Sequence, residues 1–242
     1  TYISSTTVLT YIVVGASLVV LRKTAPNAPR PFRLPAPYVF GALAFIFAYL
    51  IPYWSGFTTM WGVTALVLAG LPLFFMYTAV NRFGVKRSNA VILGIIYWII
   101  LALSTIFLIY YDIIAPYSAA SAAGTALPIS MKYVMPFVFY IIIMLAVIVA
   151  FIYVIRTWSN EEGRQHINSG WWVVALLFTA LILDFVGPFS VWTSPPLPFP
   201  WDTVTAAIVA LILFFWAVRS GIPTKDLEVV LREMGAIKEE RK

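Results

Sequence analysis

Apolar positions along this 242-residue chain gather into seven long runs, set apart by short polar or proline-rich stretches. The runs cover about Ile3–Val20, Tyr38–Tyr53, Thr58–Val80, Val91–Ile113, Tyr133–Ile155, Trp171–Val191 and Thr203–Val218. At ~1.5 Å of helical rise per residue, each is long enough, or nearly so, to cross a ~30 Å hydrocarbon core. The pattern therefore predicts an all-α integral membrane protein with about seven transmembrane helices.

Residues inside the runs refine this reading. Gly41, Ala44 and Ala48 recur at helical spacing and predict close approach of a neighbouring helix. Gly70 and Pro72 predict a kink in the third span, and Pro136 is tolerable in the first turn of the fifth. Between the fourth and fifth spans, about Ile114–Ser130 is rich in alanine, serine and glycine and predicts a mobile loop. A second loop, Arg156–Gly170, carries the single histidine, His166, expected to be a plain surface residue. The turn TSPPLPFPWD precedes the seventh span. Beyond Gly221, the apolar positions Leu227, Val230, Leu231, Met234 and Ile237 predict an amphipathic cytoplasmic tail helix capped by Thr224.

Composition strengthens the membrane reading: 62% of residues are hydrophobic, 11% are charged, and mean hydropathy is +0.91. Soluble domains carry roughly 25% charged residues. Placement of the cations explains the net charge of +6, because 15 of the 16 lysines and arginines fall after spans one, three, five and seven. Only Lys132 falls on the other side. By the positive-inside rule this orients the chain N-out and C-in, and a nucleic-acid partner becomes unnecessary. Seven tryptophans at span ends (Trp54, Trp61, Trp158, Trp171, Trp172, Trp192, Trp201) agree with membrane interfaces. The absence of cysteine excludes disulfides and thiolate metal sites. No phosphate loop, nucleotide fingerprint, nucleophile triad or zinc spacing is visible, so neither an enzyme nor a cofactor or metal is expected.

The stretch Leu21–Pro35, LRKTAPNAPRPFRLP, is basic, proline-punctuated and free of acidic residues. Its prolines disfavour a helix. Its cations, Arg22, Lys23, Arg30 and Arg33, mark the loop 21–37 as a cytoplasmic topology signal. This strap resembles the loop after the tenth helix of the amino acid–polyamine–organocation (APC) superfamily permeases. The pattern stands here as Leu21-Arg22-Lys23, Pro26 and Arg30-Pro31-Phe32-Arg33-Leu34-Pro35. The serine- and threonine-rich run before it looks like that family's tenth helix, and the pair after it like the eleventh and twelfth. The resemblance covers about residues 3 to 88.

It implies that residues 1–80 are the C-terminal part of a leucine-transporter-like permease fold. Residues 81–220 would then be four additional helices, and 221–242 the cytoplasmic tail. Thr1 stands directly before an apolar run, with neither an initiator methionine nor a basic leader, so the chain reads as a fragment of a longer protein. The implied function is a secondary transporter of the cell membrane, moving amino acids or related organic cations with H+ or Na+ coupling. Its partners would be the lipid bilayer and the N-terminal half of the same transporter, which would hold the substrate site. A seven-helix receptor and a structural subunit of a membrane complex are the alternatives.

Two sets of residues are candidates for chemistry. Asp184 is the one ionisable side chain well inside a run, expected near the membrane midplane at a bend caused by Pro188. An unpaired carboxylate there costs at least ~2.5–3.5 kcal/mol, which marks Asp184 as a candidate proton or cation relay. The alternative is a neutral aspartic acid hydrogen-bonded to its own helix. Ser4, Ser5, Thr6 and Thr7 are candidates for lining an extracellular vestibule, against a plain capping role. Asp112, at the edge of its span, is expected to reach water.

Overall fold

The computed structural model describes residues 2–26, 28, 32–222 and 229. Among these the chain forms α1 (Tyr2–Thr24), α2 (Pro37–Tyr53), α3 (Phe57–Arg82), α4 (Arg87–Ala122), α5 (Met131–Trp158), α6 (Glu161–Ser169), α7 (Trp171–Val186) and α8 (Trp201–Ser220). Helices α3, α4, α5, α8 and the continuous α6–α7 rod are each long and apolar enough to cross a membrane. The shorter apolar α2 and the 23-residue α1 complete seven rods. The tail helix expected beyond Gly221 lies outside the described residues.

Successive rods run back and forth, and hydrogen bonds between distant loops show which ends meet. At one end the Phe57 amide donates to the Phe189 carbonyl at 3.1 Å and the Thr193 amide to the Leu127 carbonyl at 3.3 Å. At the other the Asn160 amide donates to the Phe83 carbonyl at 2.9 Å. The end of α8 also closes on α1, where a side chain at Gly221 would run into Val20. The described parts of the cation-bearing loops thus share one end of the bundle, opposite Lys132.

Burial follows a stripe on each rod. On α5 the buried positions Phe137, Tyr140, Met144, Ile148, Phe151 and Ile155 follow at spacings of three or four, with Ile152 buried beside them. The opposite face exposes Phe139, Ile142, Val149 and Tyr153. A soluble protein does not display such a continuous apolar exterior, whereas a hydrocarbon core solvates it. Helix α7 is enclosed on several sides, packing against α2, α3 and α8. Helices α1 and α2 cross at Gly15 and Gly41. A Cβ on Gly15 would lie 2.6 Å from the Gly41 carbonyl oxygen, and one on Gly41 would lie 2.7 Å from that of Gly15. The small-residue stripe on α2 differs from the sequence expectation: Gly41 and Ala48 are buried, but Ala44 is exposed and Phe45 takes its place.

Other expectations change in detail. Pro72 is followed by a π-helical turn, Phe75–Ala79. Proline offers no donor to the preceding turn, and the ladder re-forms one residue wider. Beside it, Gly94 of α4 has no Cβ, which leaves room for Met76 and Pro72. Helix α4 does not stop near Ile113; it continues through a π segment (Thr105–Ile114) to Ala122, so the expected mobile loop is mostly helix. The loop Arg156–Gly170 contains α6, started by Asn160, whose side chain accepts from the Gly163 amide at 2.8 Å. His166 is half-buried and stacks on Phe83, with ring centroids 5.7 Å apart, so it is not a plain surface residue.

Candidate functional site

Three helix ends meet where α2 finishes, α7 finishes and α8 begins. Proline decides the geometry at α7. Pro188 does not bend a continuing helix; the helix ends at Val186, and the chain turns through 187–200 before α8. This overturns the expected span to Val191 and puts Asp184 in the last turn of α7. The freed carbonyls are then capped from the turn. The Trp192 indole Nε1 donates to the Phe185 carbonyl at 2.7 Å, and the Leu197 amide donates to that of Val186 at 2.9 Å. Trp192 is accordingly buried, unlike the interface tryptophan its position suggested.

Asp184 has no exposed surface. Both of its carboxyl oxygens lack a hydrogen-bond partner among the described residues. Asp202, in the first turn of α8, is equally enclosed. Its Oδ2 accepts from the Tyr53 hydroxyl at 2.8 Å and from Thr203 Oγ1 at 3.1 Å, while Oδ1 lacks a partner. One turn back along α2, the Tyr49 hydroxyl donates to Thr179 Oγ1 at 3.2 Å, and Thr179 in turn donates to the Ala175 carbonyl at 2.7 Å. Tyr49 and Tyr53 both stand within electrostatic range of Asp184. Gly187 makes the arrangement possible, because a Cβ there would come within 2.6 Å of the Tyr53 hydroxyl oxygen.

The sequence singled out Asp184 and missed its surroundings. Asp202 was hidden in a proline-rich turn, where an acidic residue reads as solvated, and the tyrosines read as ordinary core. An aspartate directly before an apolar run, two residues after a proline, was the one available signal. Ser4 to Thr7 lie on α1, at the opposite edge of the chain from α7 in sequence; of these, the structure describes only the side-chain exposure of Thr7, which is exposed. Asp112 is exposed, but it lies within α4 and not at the helix end where it was expected.

The basic strap is partly helical: Leu21–Thr24 finish α1, placing Arg22 and Lys23 in its last turn. Cations are favoured there by the helix dipole. The Arg22 Nη2 donates to the Leu34 carbonyl at 2.7 Å, and the Lys23 ammonium lies 5.6 Å from the Tyr38 ring centroid. These contacts tie the two sides of the strap together. Arg33 is exposed, and Arg30 lies outside the described residues. A separate cavity of about 520 Å³ opens among α3, α5, α6 and α7, lined by Leu68, Phe75, Arg82, His166 and Leu177.

The fold and its apolar exterior define a multi-pass, all-α integral membrane protein. No protein-family model and no solved structure matches the chain. It is 30% identical over 226 residues to the glutamate/serine transporter AimA of Bacillus subtilis (strain 168). It is 21% identical over 221 residues to the aspartate-proton symporter of the same organism. The alignments take in 93% and 91% of this chain but 28% of each relative, so the chain spans little more than a quarter of their length. It is thus similar in sequence to the corresponding stretch of two named amino acid transporters. The relationship runs well past residue 88, through the four later spans that the strap-based resemblance left out.

Proposed function

We propose that this chain is the C-terminal portion of a secondary active transporter moving amino acids or related organic cations across the cell membrane. The similarity to two named amino acid transporters along more than nine-tenths of the chain is the observation that carries this reading. In it, residues 1–80 correspond to the last three helices of a permease core, and residues 81–220 are four helices packed onto that core. The cation-rich end faces the cytoplasm, so the chain runs N-out and C-in. The N-terminal half of the same transporter contributes the substrate site. Ser4, Ser5, Thr6 and Thr7 line the outer vestibule, and Asp184 takes part in coupling transport to a cation gradient.

The test uses the complete native protein in proteoliposomes. Uptake of radiolabelled glutamate, serine and aspartate is measured with and without an imposed proton or sodium gradient. Gradient-driven accumulation of at least one of these amino acids, or of an organic cation in competition assays, is the expected result. A reconstituted protein that moves none of them would overturn the reading.

A further inference from the structure

The permease core and the four later helices are joined by buried polar groups, which is a costly way to join two apolar surfaces. Tyr49 and Tyr53 come from α2, Asp184 from α7 and Asp202 from α8, and none of the four has exposed surface. Between them, three carboxyl oxygens are unpartnered among the described residues: both of Asp184 and Oδ1 of Asp202. Burying such atoms without a compensating partner is expensive in an apolar interior.

Among the described residues, the packed neighbours place no cation in hydrogen-bond contact with these oxygens. Helix α1 has Arg22 and Lys23 in its last turn, α3 has Arg82, α6 has Glu161, Glu162, Arg164 and His166, and α8 has Arg219. All of these lie at the other end of the bundle, as does Arg156 of α5. Lys132, at the start of α5, shares the end of Asp184, but its side chain is exposed and its ammonium lies over the Tyr133 ring, 5.5 Å from the centroid. A divalent metal ion is a poor fit as well. Divalent hard cations want six or so oxygen ligands, and no group of three or more acidic or imidazole side chains is gathered among the described residues, so a calcium or magnesium ion does not fit. Sodium is left to the choline replacement in the experiment below. A proton needs a single oxygen, and it converts an acceptor into an O–H donor.

We propose that Asp184 is a proton-binding residue at the junction of α2, α7 and α8, with Tyr53 and Asp202 as the positioning pair beside it. One proton adds to the Asp184 carboxylate to give the neutral acid, and the same proton leaves on the other side of the membrane. Tyr53 keeps its own proton throughout, held on Asp202 Oδ2. Because that hydrogen bond joins α2 to α8, loading and unloading of Asp184 is felt at the contact between the permease core and the added helices. The inference rests on the transporter reading for its consequence, but proton binding at Asp184 can be tested without transport.

In proteoliposomes of the complete protein with a pH-sensitive dye inside, an amino acid gradient should acidify the lumen, and D184N should lose this signal at least tenfold. Replacing sodium by choline should change neither. Y53F and D202N should keep proton movement but shift its pH profile, as a positioning role requires. Wild-type acidification and pH profile in D184N, or a sodium requirement lost in D184N, would overturn the proposal. Infrared titration of the purified full-length protein in lipid separates the two readings. A protonated-carboxyl band that disappears with rising pH and is missing in both D184N and a folded D184A supports the inference even if no amino acid moves. Absence of any such band over the accessible pH range would sink it even if transport is robust.

Discussion

The Tyr53 hydroxyl donates to Asp202 Oδ2 across 2.8 Å, joining the end of α2 to the start of α8 over 149 residues of sequence. Both residues are completely enclosed. Tyr53→Phe removes the donor and leaves a buried carboxyl with one partner fewer, which costs roughly 1–3 kcal/mol. Thermal unfolding in detergent should show a lower midpoint for this variant. An unchanged midpoint would mean that water or another donor replaces the tyrosine.

Gly187→Ala should act on the same contact. The added Cβ would stand 2.6 Å from the Tyr53 hydroxyl oxygen and 2.8 Å from the Leu183 carbonyl oxygen. Overpacking of this kind costs about 1–3 kcal/mol. The effects of Tyr53→Phe and Gly187→Ala should be less than additive, since deleting the hydroxyl removes one of the two clashes. A double-mutant cycle measures this coupling; strict additivity would contradict it.

Helices α1 and α2 meet backbone to backbone at Gly15 and Gly41. Larger residues must push the helices apart, because the obstructing atoms are carbonyl oxygens and not flexible side chains. Gly15→Leu and Gly41→Leu should each destabilise the protein more than Gly70→Leu, whose Cβ would meet nothing within 4 Å. Comparing the three melting temperatures checks the ranking.

Trp192 is held by its indole donor, not by a membrane interface. Trp192→Phe leaves the Phe185 carbonyl at the end of α7 without that 2.7 Å bond and should loosen the turn that follows. Faster hydrogen exchange confined to 187–200 and the last turn of α7 is the expected outcome. Exchange that rises uniformly across the bundle would point to global destabilisation instead.

Orientation can be read directly, since the chain contains no cysteine. Single cysteines at Arg33 and Thr125, both exposed and at opposite ends of the bundle, should react with a membrane-impermeant maleimide from opposite sides. Labelling of Thr125→Cys in intact cells, with Arg33→Cys protected until the membrane is opened, is the predicted result. The reverse pattern would invert the topology.

The seven rods were legible because twenty or so apolar residues in succession have few alternatives to a membrane-spanning helix. The segregation of cations was legible too, because charge placement is a property of sequence order. Helix ends were less so. Arg22 and Lys23 are helical although prolines follow within a few residues, since a proline disturbs the turn before it and not the whole approach. Conversely, Pro188 ended α7 where a kink was expected, because Trp192 and Leu197 were available to satisfy the carbonyls it freed.

The amino-acid sequence by itself determined that this is an all-α membrane protein of long apolar helices, and which loops share an end of the bundle. These follow from hydrophobic length and charge order, which act locally. It also exposed Asp184 as an acid in apolar company. Only the tertiary structure decided what that company is. Tyr49, Tyr53 and Asp202 reach the end of α7 through the packing of α2 and α8, and no spacing along the chain encodes a contact between residues 149 positions apart.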